Sequence, residues 1–256
     1  MPFAPPRGSP RGVGLVRGLT RAPTPAMRQT TLVFVEGLPG SGKSTTARYV
    51  AGRLQQSQVD ARLIAEVESD HPLNVGGVLH PAGDATGEEL FQSYTVEAYI
   101  AESLQRWRTF VAGASGRATV NILDSYPYQN AARVLLQMDS STERIAEYAH
   151  EVEAITRPLA PVLIYLQTNA SPEALTALTH TRGEAWTAYA IRVMTNCPYA
   201  RQRQLTGGPG AMAMLSAYSA LLQRLLAESA LPRLELDSCG GDWQRCYERI
   251  DQFLAL

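Results

Sequence analysis

The eight residues Gly37-Leu-Pro-Gly-Ser-Gly-Lys-Ser44 fit the pattern GxxxxGK[ST] at every fixed position. We call residues 37–44 the P-loop. Glycines at 37, 40 and 42 let the backbone curl so that successive N–H groups face inward and bind an anion, and a following helix adds positive potential at its N-terminus. This pattern predicts that the loop lies between a strand and a helix and holds the phosphates of a nucleotide.

The P-loop residues have separate predicted roles toward a nucleoside triphosphate. Lys43 should reach the β and γ phosphates, and the Ser44 hydroxyl should coordinate a Mg²⁺ ion that bridges them. The predicted cofactors are therefore ATP or GTP with Mg²⁺. The residues predicted to bind the nucleotide are Gly37, Pro39, Gly40, Ser41, Gly42, Lys43, Ser44 and Thr45.

Lys43 is the only lysine in the chain, and the other 22 basic residues are arginines. A lysine ammonium is a compact charge on a flexible stem, whereas the arginine guanidinium is a planar fork. We therefore expect the ammonium to be required at this position.

The composition indicates one globular domain after a tail. In the 256-residue chain, 45% of residues are hydrophobic and 18% are charged. The first 26 residues contain six prolines, four arginines and no acidic residue, so residues 1–28 are predicted to be disordered, unless translation begins at Met27. The rest has 19 basic and 24 acidic residues, which argues against broad contacts with nucleic acid or an anionic membrane.

Short apolar runs alternate with helical patterns, which is typical of α/β folds built around a parallel sheet. The prediction is a three-layer fold in which a five-stranded parallel sheet has helices on both faces, within residues 29–256. Residues 172–210 show no clear strand and are predicted to form an Arg-bearing helical lid. The predicted strands span residues 31–36, 62–67, 118–124, 161–167 and 233–237.

The segment Val35-Glu-Gly-Leu-Pro-Gly-Ser-Gly-Lys-Ser-Thr45 resembles the opening of the thymidylate-kinase-like and other small-molecule P-loop kinases. That group also includes chloramphenicol phosphotransferase and the zeta-toxin kinases. Beyond the motif the resemblance is architectural and covers about residues 30–256. It implies transfer of the γ-phosphoryl group of ATP or GTP to an acceptor bound opposite the P-loop.

Acidic residues follow two of the predicted strands, at the edge of the sheet where ligands gather. Asp124 ends the third strand and is predicted to accept the proton of an acceptor hydroxyl or to help hold Mg²⁺, although a helix N-cap is an alternative. Glu36, just before the P-loop, is predicted to steady the loop or its metal shell. After the second strand, acceptor-binding residues are predicted at Glu66, Glu68, Asp70 and His71, with a solvated polar loop as the alternative.

Arginine and tyrosine side chains could complete such a site. Some related kinases place Asp-Arg-Tyr where this chain has Asp124-Ser125-Tyr126, so the missing arginine is expected elsewhere, with Arg133 as the candidate. Tyr126 is predicted to line the acceptor pocket. In the lid, Arg201 and Arg203 are predicted to close onto the phosphates and to neutralise the charge that develops during transfer, with ordinary solvated cations as the alternative.

The leading hypothesis is therefore a kinase that phosphorylates a small molecule. The favoured acceptors are a nucleoside or nucleotide, or an antibiotic-like compound with a hydroxyl group. The alternative is a regulatory switch that hydrolyses a nucleotide slowly, although the chain has no guanine-reading NKxD motif. No apolar run approaches the length of roughly 20 residues that spans a bilayer. We expect a cytoplasmic protein without nucleic-acid or membrane partners, and the sequence leaves a homodimer open.

Overall fold

The computed structural model describes residues 30–68, 70–75, 88–168, 182–237 and 241–256. Its centre is a five-stranded parallel sheet formed by β1 (Leu32–Gly37), β2 (Ala61–Ile64), β3 (Val120–Asp124), β4 (Val162–Leu166) and β5 (Arg233–Leu236). The strand order is β2-β3-β1-β4-β5, and all four neighbouring pairs are parallel. This arrangement places β1 between β3 and β4, at the middle of the sheet.

Nine α-helices lie in the described part of the chain. They are α1 (Lys43–Gln56), α2 (Glu88–Ser93), α3 (Val96–Ala114), α4 (Arg133–Gln137), α5 (Thr142–Thr156), α6 (Glu184–Thr195), α7 (Pro198–Gln202), α8 (Gly207–Glu228) and α9 (Trp243–Leu254). A single π-helical turn, Tyr128–Ala132, leads directly into α4.

Successive side chains of β1 point to opposite faces of the sheet and enter two separate cores. Leu32 and Phe34 pack in a core with α3, α5 and α8, whereas Val33 and Val35 pack in a second core with α1 and α9. All four side chains are buried. The sequence therefore reads as an apolar run without alternation, as expected for a parallel strand covered on both faces.

The predicted fold class is confirmed: the molecule has three layers, with α1 and α9 on one face of the sheet and α3, α5 and α8 on the other. The second strand ends at Ile64, three residues earlier than predicted, so Glu66 and Glu68 lie in the following loop. Asp242 caps α9 by accepting a hydrogen bond from the Arg245 N–H.

Some predicted segments lie outside the described residues, namely the N-terminal tail and the part of the predicted lid before residue 182. The remainder of the predicted lid contains α6, α7 and the first turn of α8. No helix in the described ranges has the length and apolar character needed to cross a membrane.

Candidate active site

The P-loop connects the end of β1 to the first residue of α1, as its motif predicts. Gly40 and Gly42 have φ angles of 84° and 94°, in the left-handed region that favours glycine. At Gly37 a Cβ atom would lie 2.5 Å from the Leu166 carbonyl oxygen, so a side chain there would collide with β4. The backbone therefore curls tightly, as the three glycines predict.

Lys43 is folded inward against its own loop. Its side chain is only 5% exposed, and Nζ donates a hydrogen bond to the Leu38 carbonyl oxygen at 2.9 Å. Burial lowers the pKa of Lys43 from its ordinary value, while the charges of Glu66, Glu36 and Asp124 raise it. The ammonium thus lies near three carboxyl groups, inside the loop that is predicted to hold phosphates.

Asp124 is the last residue of β3 and lies beside Val35 of β1. The carboxyl group is buried and makes a side-chain hydrogen bond with Ser44. Burial raises the pKa of Asp124 from its ordinary value, the hydrogen bond with Ser44 lowers it, and the nearby Glu66 raises it further. The structure therefore brings together the two residues that the sequence assigned to Mg²⁺.

Glu66 reaches the same edge of the sheet from the loop after β2. Ser125 Oγ lies 3.2 Å from Glu66 Oε2 and 3.0 Å from Asp124 Oδ1, so one hydroxyl connects the two carboxyl groups. Gln129 Nε2 donates to Glu66 Oε1 at 2.9 Å. The roles of Ser125 and Gln129 were not predicted, because their only signal in the sequence is their closeness to Asp124 along the chain.

Glu36 is fully buried at the end of β1 and accepts backbone hydrogen bonds from the turn after β3. The Tyr128 N–H donates to Oε1 at 2.6 Å, and the Gln129 N–H donates to Oε2 at 3.2 Å. Burial raises the pKa of Glu36 to about 8, although these hydrogen bonds and Lys43 act against the shift. Three acidic residues therefore lie at the carboxyl ends of three adjacent strands.

The raised pKa of Glu36 predicts that stability falls as pH rises. Between its ordinary value of 4.5 and about 8 the folded state binds the proton that the unfolded state has lost, so the free energy of unfolding decreases with pH. One such proton gives a slope of up to about 1.4 kcal/mol per pH unit. The Glu36→Gln variant keeps an acceptor for Tyr128 and should lose much of this slope, as measured by urea unfolding from pH 5 to 8.

Part of the slope should remain in this variant because the pKa of Asp124 is raised as well. The control is Glu248→Gln, which changes an exposed acid on α9 and should keep the wild-type slope. If Glu36→Gln and wild type lose stability equally over this pH range, Glu36 is ionised in the folded protein and the prediction is wrong.

The other predicted acceptor residues separate into two groups. Glu68 pairs with Arg62 at 3.2 Å, and Asp70 is exposed, which fits the solvated-loop alternative for these two. His71 is buried and stacks on the Tyr126 ring with 4.3 Å between ring centroids. Tyr126 is buried too, and its hydroxyl has no hydrogen-bond partner among the described residues.

Arg133 lies at the start of α4, next to a small pocket that adjoins the P-loop. Its Nε donates to the Gln129 carbonyl oxygen at 3.1 Å and its Nη1 to Gln137 Oε1 at 2.8 Å. The Tyr218 hydroxyl, near the Arg133 charge, is buried without a partner among the described residues. The pocket is lined by Pro39, Arg133, Gln137, Met194, Met214, Leu215 and Tyr218.

The lid arginines differ in their contacts. Arg203 forms an ion pair with Asp139 at 2.6 Å and lies over the Tyr199 ring, and Arg201 donates to the Asn196 carbonyl oxygen. Arg182, also in the predicted lid, carries a charge that contributes to lowering the pKa of Lys43. Arg201 and Arg203, the arginines that the sequence favours, thus contact Asn196 and Asp139 in this conformation.

The residues present fit a magnesium ion that is held together with a nucleotide. Mg²⁺ in such sites takes one or two protein oxygens and completes its shell with phosphates and water. The hydrogen-bonded Ser44 hydroxyl and Asp124 carboxyl group offer such a pair. In the described ranges no cluster of three or more His, Cys, Asp or Glu residues could hold a metal by itself.

The strand order β2-β3-β1-β4-β5, the GxxxxGK[ST] loop between β1 and α1, and the Asp124–Ser44 contact define a P-loop NTPase-like fold. Neither a protein-family model nor a curated protein matches the chain. Among solved structures, the YorR protein from Bacillus subtilis, crystallised with phosphorylated GDP, is similar over 86% of this chain and 92% of its own. The identity is 14% and the TM-score is 0.47, so the fold assignment rests on the strand order and the loop.

Proposed function

We propose that the protein is a kinase that moves the γ-phosphoryl group of ATP or GTP to a hydroxyl group of a small molecule. The observation that carries this proposal is the cluster of Lys43, Ser44 and Asp124 at the ends of β1 and β3. The buried ammonium lies inside the P-loop, and the Ser44 hydroxyl contacts the Asp124 carboxyl group. Phosphoryl transfer depends on positioning and on charge stabilisation, and this cluster offers both.

The proposed roles follow from the chemistry of each group. P-loop amides and Lys43 would bind the β and γ phosphates. The Ser44 hydroxyl would hold Mg²⁺, with Asp124 next to it acting on the ion only through a water, and the ion would neutralise charge on those phosphates. The raised pKa of Asp124 also suits a general base, since a carboxylate with a higher pKa is a better proton acceptor. We assign the cation that completes the site to an arginine of the predicted lid, with Arg182, Arg201 and Arg203 as the candidates.

The surroundings of Asp124 favour an acceptor without a phosphate group. Glu36, Glu66 and Asp124 lie together, and a phosphate acceptor would need further cations beside them. Arg133, a candidate cation from the sequence, already donates hydrogen bonds to Gln129 and Gln137. Neutral or cationic hydroxyl compounds, namely nucleosides and antibiotic-like molecules, are therefore the acceptors that we favour over a nucleotide monophosphate.

An assay of ATP and GTP consumption tests this proposal. Purified protein with Mg²⁺ is given each nucleotide alone and with a panel of nucleosides, nucleoside monophosphates, aminoglycosides and phenicols. We expect turnover that rises only with an acceptor, with the phosphate found on that acceptor by mass spectrometry. Steady turnover that no acceptor changes would instead identify a slow nucleotide hydrolase and contradict the kinase proposal.

A further inference from the structure

Trp243, the first residue of α9, lies against the P-loop. A Cβ atom built on Gly42 would come within 2.6 Å of Trp243 Cη2, so the indole edge occupies the space over this glycine. Gly42 is also the residue that precedes Lys43 and turns the chain into α1, with φ at 94°. The indole therefore covers the point at which the anion-binding loop becomes a helix.

Trp243 begins a row of aromatic rings that joins α9 to α1. The row consists of Trp243, Tyr247 and Tyr49. The Trp243 and Tyr247 ring centroids are 6.1 Å apart, and Tyr247 stacks on Tyr49 with centroids 3.9 Å apart and planes at 10°. Such ring pairs add to the stability that burial of their area already gives.

The far end of the aromatic row is anchored by polar contacts between the same two helices. The Tyr49 hydroxyl donates to Asp251 Oδ1 at 2.9 Å, and Arg53 forms an ion pair with Asp251 at 3.0 Å. Tyr49 and Arg53 belong to α1, whereas Asp251 belongs to α9. The position of the indole over Gly42 is thus set by several contacts along both helices.

A phosphate-binding loop binds tightly only if its amides already point inward before the ligand arrives, because ordering the loop would otherwise cost binding free energy. Gly42 has no side chain with which to hold its own left-handed conformation, and the indole supplies a fixed surface beside it. We propose that Trp243 is a positioning residue that holds the P-loop in its nucleotide-binding conformation. The inference rests on the proposed function, since it concerns the same nucleotide site.

The test is the dissociation constant of the magnesium complex of a non-hydrolysable ATP analogue, measured by calorimetry on the full chain. We expect Trp243→Ala to bind about tenfold more weakly, because the P-loop must then be ordered on binding, and Trp243→Phe to recover most of the affinity because a flat ring remains. Phe253→Ala is the matched control. Phe253 lies on the same helix and packs on the same core as Trp243, but about 15 Å further along.

If Trp243 only stabilised the fold, Trp243→Ala and Phe253→Ala would affect stability and nucleotide affinity in the same way. We therefore expect Phe253→Ala to lower the melting temperature and to leave the dissociation constant at the wild-type value. Asp251→Asn, which breaks the pair with Arg53 but leaves the core intact, should weaken nucleotide binding by a smaller factor than Trp243→Ala. It also provides the test if Trp243→Ala fails to fold.

Two results would overturn the inference and can be told apart from failure of the proposed function. If wild type binds the analogue and Trp243→Ala binds it equally well, Trp243 does not position the loop. The same conclusion follows if Phe253→Ala loses as much affinity as Trp243→Ala. Absence of binding by the wild-type protein would instead remove the proposed function itself.

Discussion

Replacing Lys43 by alanine should abolish phosphoryl transfer while the protein stays folded. The ammonium is the one lysine charge in the chain, and it is buried within the loop that is predicted to bind the phosphates. Loss of one preorganised donor at the reacting phosphate costs on the order of 10²- to 10³-fold in turnover. Lys43→Arg should be nearly as damaging, because a planar guanidinium does not fit the 5%-exposed site of a compact ammonium.

The comparison for this prediction is Arg48→Ala. Arg48 lies on the same helix, is exposed, and should tolerate the change with turnover within about twofold of wild type, as expected for a surface residue. Turnover is measured with the best acceptor from the panel, and folding is followed by circular dichroism. Near-normal activity of Lys43→Arg would show that any cation suffices and that the argument from the solitary lysine is wrong.

The Asp124→Asn substitution should reduce turnover far more than it weakens nucleotide binding. The amide oxygen can still accept the hydrogen bond from Ser44, but the group can no longer take a proton from the acceptor hydroxyl. General-base catalysis contributes about 10²- to 10⁴-fold, so a loss of that size is expected in turnover. The dissociation constant of the magnesium nucleotide should change by only a few-fold, and both quantities are measured on the same preparation.

Glu68→Gln is the matched control for Asp124→Asn. Glu68 belongs to the acid-rich loop after β2 but pairs with Arg62 near the surface, so its turnover should stay near that of wild type. Equal losses of turnover and nucleotide affinity in Asp124→Asn would assign Asp124 to the metal or to the fold instead. A large loss of turnover in Glu68→Gln would restore the prediction that Glu68 binds the acceptor.

Much of the fold could be predicted from local patterns in the sequence. The P-loop motif is a short continuous signal, and apolar runs without alternation reveal strands that are covered on both faces. Both signals need only neighbouring residues. The strand ends were less predictable, because β2 ends at Ile64 where the chain turns toward Asp124, and no local residue marks that point.

The contacts of the site depend on residues that are far apart in the sequence. Glu66 accepts hydrogen bonds from Ser125 and Gln129, which lie about 60 positions further along the chain. Asp251 accepts a hydrogen bond from Arg53, 198 positions earlier. No spacing rule indicates such pairs. Arg203 and Asp139 are also far apart in the sequence, so their ion pair could not be predicted. Trp243 is about 200 positions from Gly42, so its contact with the P-loop could not be predicted either.

The roles of the lid arginines depend on how the predicted lid moves when substrates bind. Arg201 donates to Asn196 within the predicted lid, Arg203 pairs with Asp139 outside it, and the charge of Arg182 contributes to lowering the pKa of Lys43. Phosphoryl-transfer sites commonly close around bound substrates. A structure with a magnesium nucleotide and an acceptor would decide which of the three arginines approaches the phosphates.

The central claim is that the P-loop binds a magnesium nucleotide, and a calorimetric titration of the full chain with MgATP and MgGTP tests it most directly. We predict saturable binding at one site that weakens when EDTA removes the metal and is lost in Lys43→Ala. A heat signal that never exceeds dilution for either nucleotide, from protein shown to be folded, would contradict the account.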